Sequence, residues 1–174
     1  MSEFLLQNIK PASDIDIVNA NALVVIKADT IPPHIAVLYQ KEYYSLEYNG
    51  YYIRPVDQLL KYIHVKKVQT LFFKINSDIK IGPGIFFEKF QNMSGEITCL
   101  EPVKEFCNQN FHPESKNQQF IYQLIPFLIK NNVFSDVRHC YLTDSEEPIT
   151  FSFPEYSKKE IFAHIKLLKD SVKG

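Results

Sequence analysis

Between Ala22 and Arg54, apolar β-type runs follow one another with gaps too short for anything but tight turns, and this most narrows the folds open to the chain. Ala22-Leu-Val-Val-Ile-Lys27 is short, β-branched and apolar, so it reads as a buried strand ending at the turn Asp29-Thr-Ile-Pro-Pro33. His34-Ile-Ala-Val-Leu-Tyr39 and Glu42-Tyr-Tyr-Ser-Leu-Glu-Tyr48 flank only Gln40-Lys41, and Asn49-Gly50 carries a type I′ turn signal into Tyr51-Tyr-Ile-Arg54. So short a connection joins only antiparallel neighbours, because a parallel return needs a long crossover. The expected fold class is α+β: an antiparallel meander of about five to six strands packed against helices.

After Pro55 the apolar positions Val56, Leu59, Leu60 and Ile63 have helical spacing, and the helix stops before the strand Val68–Ile75. Gly82-Pro83-Gly84 and Ser94-Gly95 make residues 76 to 97 mostly loop, with one turn of helix around Phe86 to Phe90. Helices are expected at about Cys99–Asn108, Asn117–Asn131 and Ser157–Val172, and strands at Val137–Leu142 and Ile149–Phe153. The opening residues to about Asn19 stay unassigned. No repeat, low-complexity segment or linker divides the chain, so residues 1–174 read as a single α+β domain.

The balance of 19 basic against 20 acidic residues supplies no global field to hold nucleic acid or an anionic surface. No nucleic-acid partner is expected. Three scattered cysteines, Cys99, Cys107 and Cys140, are not the pattern of a disulfide-stapled secreted domain. With no leader-like opening and no run of about 20 apolar residues, the chain reads as cytoplasmic and without a membrane span.

Chemistry concentrates at Cys99. Thr98-Cys-Leu-Glu101 matches a capping box, which would put Cys99 in the first turn of a helix whose macrodipole favours thiolate. Backbone N–H groups left free there could stabilise an oxyanion. The plainer reading makes Cys99 a small buried hydrophobe, for free cysteine is among the most buried residue types.

His34 opens a strand at a sheet end, where a side chain can reach a cleft. If Gln40-Lys41 centres the hairpin, His34 faces Glu47 directly and Ser45 diagonally on the same sheet face. Either group would fix the imidazole tautomer. A one-residue register slip, or a His34 that only ends the strand, are the alternatives.

A His at a strand start (His34-Ile-Ala-Val), a polar residue on the next strand (Glu47 or Ser45) and a later Cys at a helix N-terminus (Cys99) form an ordered set. In this order the chain resembles the circularly permuted NlpC-type papain-like cysteine hydrolases, a group that includes lecithin retinol acyltransferase-like proteins, over about residues 22–110. The resemblance implies a thiol-dependent hydrolase or acyltransferase acting on an amide or ester of a small-molecule or peptide substrate, with no cofactor. It implies Cys99 as nucleophile, His34 as general base and later acid, and Glu47 or Ser45 as the group that orients the ring.

Other groupings weigh less. Without Cys-x-x-Cys pairs a zinc site is not expected, and Cys107 and Cys140 read as core residues. Gly82-Pro-Gly84 is a turn, lacking the ending of a phosphate loop. The tyrosines Tyr43, Tyr44, Tyr48, Tyr51 and Tyr52 read as cross-strand sheet pairs. The alternative to catalysis is a binding domain of the same fold, recognising a protein partner or small ligand through that tyrosine-rich face.

Overall fold

A computed structural model describes residues 4–92 and 97–173. Along the chain run β1 (Leu5–Pro11), α1 (Asp14–Val18), β2 (Ala22–Ile26), β3 (His34–Tyr39), β4 (Glu42–Glu47), β5 (Gly50–Pro55) and α2 (Val56–Lys66). Then come β6 (Thr70–Ile75), α3 (Gly84–Phe87), α4 (Leu100–Asn110), a 3-10 turn at Pro113–Asn117, α5 (Ile121–Lys130), β7 (Phe134–Cys140), β8 (Ile149–Ser152) and α6 (Lys158–Ser171). The eight strands form one sheet in the order β5-β4-β3-β2-β6-β7-β1-β8.

The α+β class and the β2–β5 meander stand as the sequence implies, but the sheet is wider than five to six strands and is mixed. β1, drawn from the unassigned opening residues, pairs parallel with β7 at Lys10↔Arg138 and antiparallel with β8 at Leu6↔Phe151. That pairing is invisible locally, because its partner lies more than a hundred residues downstream. The helix expected from Asn117 is split into the 3-10 turn and α5, which carries Pro126 inside and so forfeits one backbone hydrogen bond. The expected Ser94-Gly95 turn lies outside the described residues.

β2 is buried at all five positions because helices cover both sheet faces. On one face Leu23, Val25, Ile35, Val37, Leu71 and Phe73 meet Phe106 of α4 and Leu124 of α5. On the other, Val24, Ala36, Leu38 and Phe72 meet Leu59, Leu60 and Ile63 of α2. Alternate residues of a strand thus report to different helices.

The two hairpins invert their turn signals. Gln40 and Lys41, weak turn formers, both adopt positive φ (50° and 66°), as a type I′ turn demands. The stronger Asn49-Gly50 signal falls one residue late: Glu47 pairs with Gly50, so Tyr48 and Asn49 fill the turn and Gly50, at φ 150°, opens β5.

Phe106 fixes α4 to the sheet and stacks edge-on against both Phe86 and Phe111. Phe106→Ala is expected to cost about 3–5 kcal/mol of unfolding free energy in urea titrations. A loss below about 1 kcal/mol would mean that α4 is not held by this contact.

Candidate active site

The site begins with a turn. β2 ends at Ile26, Lys27 takes the left-handed region at φ 54°, and Ala28 N–H donates to the Gln69 carbonyl at 3.0 Å. The Thr30 hydroxyl lies 2.9 Å from the Lys27 carbonyl, to which it donates, and 3.2 Å from that of Pro32. The chain is thereby turned back so that His34, first residue of β3, lies opposite Ile26. The β3–β4 register, Val37↔Tyr44 and Tyr39↔Glu42, is the one that a hairpin centred on Gln40-Lys41 dictates. Extended to the open end of the hairpin, it sets Ser45 diagonally across from His34, and His34 Nε2 meets Ser45 Oγ at 2.8 Å.

Of the two candidates for orienting the imidazole, Ser45 is the one in contact. Glu47 turns to Arg54 on β5, with Oε1 3.1 Å from the guanidinium. A fully ionised partner one strand away outcompetes a neutral ring for the carboxylate.

Cys99 stands at the entrance to α4, buried, in helical backbone geometry (φ −57°, ψ −19°). The capping box expected over Thr98–Glu101 does not form. Glu101 pairs with Lys104 one turn along, at 3.0 Å, and so does not reach back to Thr98. Thr98 instead takes both first N–H groups of the helix: its hydroxyl accepts from Leu100 at 3.3 Å and its carbonyl from Glu101 at 3.1 Å. The free donors expected at this helix end are therefore occupied. Two other N–H groups, those of Ile35 and of Cys99 itself, act to lower the thiol's pKa. Ile35 directly follows His34 at the start of β3.

Burial dominates the electrostatics. It pushes the Cys99 thiol up to about 11, against the smaller opposing pull of the two N–H groups, with the Glu101 charge adding to the rise. The expectation of a dipole-stabilised thiolate is thus reversed, because desolvation exceeds the helix-end effect. Burial, followed by the Lys27 charge, pulls His34 down to about 4. At neutral pH the site holds S–H and uncharged imidazole.

Cys99, His34, Tyr43 and Glu47 line one cavity of about 510 Å³ at this end of the sheet. It wraps around the strand ends, taking Cys99 and Ile121 from the α4–α5 side and Gln58, Leu59 and Tyr62 of α2 from the other. Ile161, Ile165 and Leu168 of α6 close it with an apolar wall.

Two phenols that the sequence did not single out for catalysis line the same cavity as the thiol. Tyr43 and Tyr156 are buried, and burial pushes both hydroxyls up, with the Cys99 charge adding to each rise. Tyr156 accepts from Ile121 N–H at 3.3 Å, and its carbonyl accepts from the Tyr122 hydroxyl at 3.1 Å, so it is pinned to the head of α5. Tyr43 was legible, because positions 43, 45 and 47 share a face in any strand. Tyr156 comes from a distant extended segment that carries no local signal.

The tyrosine-rich hairpins do not present a single aromatic face. Tyr43 and Tyr44 belong to clusters on opposite sides of the sheet, and the ladder puts Tyr52 opposite Ser45 and Tyr51 opposite Leu46. Cys107 and Cys140 are buried and free, as expected of core residues. Among the described residues no group of three His, Cys, Asp or Glu side chains could hold a metal ion. His139 and Cys140, adjacent on β7, point to opposite faces. No helix among the described residues is long and apolar enough to cross a membrane.

A histidine held at about 4 when folded and near 6.5 when unfolded takes up its proton more readily in the unfolded chain. Its contribution to stability is therefore present above pH 6.5 and is lost as pH falls toward 4. Allowing for the ring's contact with cavity water, the loss is about 2 kcal/mol. Urea unfolding between pH 7 and pH 4 should show this slope reduced in His34→Gln; an unchanged slope would mean that His34 titrates normally. Comparison with known proteins finds no matching family model, no matching curated protein and no matching solved structure.

Proposed function

We propose that the protein is a thiol-dependent hydrolase or acyltransferase acting on an amide or ester bond at Cys99. The observation that carries this reading is that the Cys99 thiol and the His34–Ser45 pair lie on the wall of one cavity large enough for a small substrate. The order of these residues along the chain agrees with that of the permuted papain-like hydrolases that the sequence resembles.

Because thiol and imidazole are both neutral at rest, the chemistry is general-base attack and not attack by a preformed thiolate. As Sγ bonds to the substrate carbonyl carbon, the thiol proton passes to His34. The tetrahedral intermediate then collapses, and the leaving amine or alcohol takes that proton, leaving a thioester on Cys99. Water or another acceptor, deprotonated by the same imidazole, attacks the thioester. The acyl group leaves, and the proton returns to sulfur. Ser45 holds the ring in one orientation throughout. Tyr43 and Tyr156, on the wall of the same cavity, supply hydroxyls available to an oxyanion formed there.

The second reading, a binding domain of the same fold, draws on the same raised thiol pKa, since a buried neutral cysteine need not react. Incubation with 4-nitrophenyl butyrate followed by peptide mass spectrometry separates the two. Catalysis predicts a butyryl group on Cys99, its absence in Cys99→Ala, a rate about 100-fold lower or more in His34→Ala, and about tenfold lower in Ser45→Ala. The base is neutral above pH 4, so kcat/KM should already have levelled off by pH 6. Acylation spread equally over Cys99, Cys107 and Cys140 would favour the binding reading.

A further inference from the structure

We propose that the cavity selects substrates bearing a carboxylate near the scissile amide or ester, and that Lys27 is the residue that reads it. This rests on the hydrolase reading above and names its substrate class. Among the described residues the charged side chains on the cavity wall are Lys27, Glu47 and Arg54. Glu47 and Arg54 neutralise each other at 3.1 Å, and Arg54 is further engaged over the Tyr52 ring at 4.0 Å. Lys27 has no ion-pair partner among the described residues. It is exposed, held by its left-handed backbone at the turn between β2 and His34.

Among the described residues one net positive charge is thus left on the wall of a cavity to which α6 contributes the apolar Ile161, Ile165 and Leu168. His164 of α6 lines the same cavity, and burial, followed by the Lys27 charge, holds its pKa below the ordinary histidine value. A single ammonium matches a carboxylate of charge −1 better than a phosphate, which carries close to two charges at neutral pH.

The test compares mono(4-nitrophenyl) glutarate, which carries a terminal carboxylate, with neutral 4-nitrophenyl butyrate. Wild type should favour the glutarate in kcat/KM, and Lys27→Gln should lower the glutarate-to-butyrate ratio about tenfold while Lys27→Arg retains it. An unchanged ratio in Lys27→Gln overturns the proposal. If neither ester acylates Cys99, the hydrolase reading fails, and the anion site is judged by binding alone. N-phenylglutaramic acid and N-phenylbutanamide are then titrated into Cys99→Ala protein by NMR. Tighter binding of the acid that is lost in Lys27→Gln sustains the carboxylate site, and equal binding of the two compounds overturns it.

Discussion

The hydrogen bond between His34 and Ser45 depends on one register, and most of the site depends on that bond. Because side chains alternate along a strand, a slip of one residue between β3 and β4 would send Ser45 to the opposite face and leave the imidazole without its partner. The register is held by the two-residue turn at Gln40-Lys41, whose positive φ angles match the twist of the hairpin, and by Val37, Leu38, Tyr43 and Tyr44 buried on the two faces. Hydrophobic burial thus fixes the position of a polar contact. The same alternation brings Tyr43, Ser45 and Glu47 to the face that carries His34.

Cys99 enters the cavity by another route. It packs with Val103, Phe106 and Cys107 in the cluster on the opposite side of the sheet, and the cavity takes it in by wrapping around the strand ends. Burial outweighs the N–H of Ile35, next in sequence to the histidine, which pulls the thiol's pKa down. The consequence is electrostatic: a thiol this deeply buried stays protonated, and an imidazole beside Lys27 stays neutral. Cys99 and His34 therefore form no resting thiolate–imidazolium pair, and the opposing charges would develop only as a substrate reacts, in surroundings fixed beforehand by the fold.

What could be read from the sequence follows the range of the interactions involved. Strands β2 to β5 carry local signals, and the diagonal His34–Ser45 relation came from counting residues through one turn. The roles of Glu47 and Glu101 did not, because each carboxylate chose a cationic partner, Arg54 or Lys104, in a competition that spacing alone leaves open. The thiolate expectation failed for a related reason: a helix end can be recognised locally, whereas the depth of burial of Cys99 is a property of the whole packed core. β1 beside β7, and Tyr156 in the cavity that holds Cys99, bring together distant segments with no local mark.

A buried, protonated Cys99 shares its cavity with a neutral His34. The rate of Cys99 alkylation by iodoacetamide, followed peptide by peptide from pH 6 to pH 11.5, reads the state of that thiol. The rate should still be climbing above pH 10, with Cys99 labelled ahead of the fully enclosed Cys107. A rate that reaches its plateau below pH 8 would show a resting thiolate and contradict this.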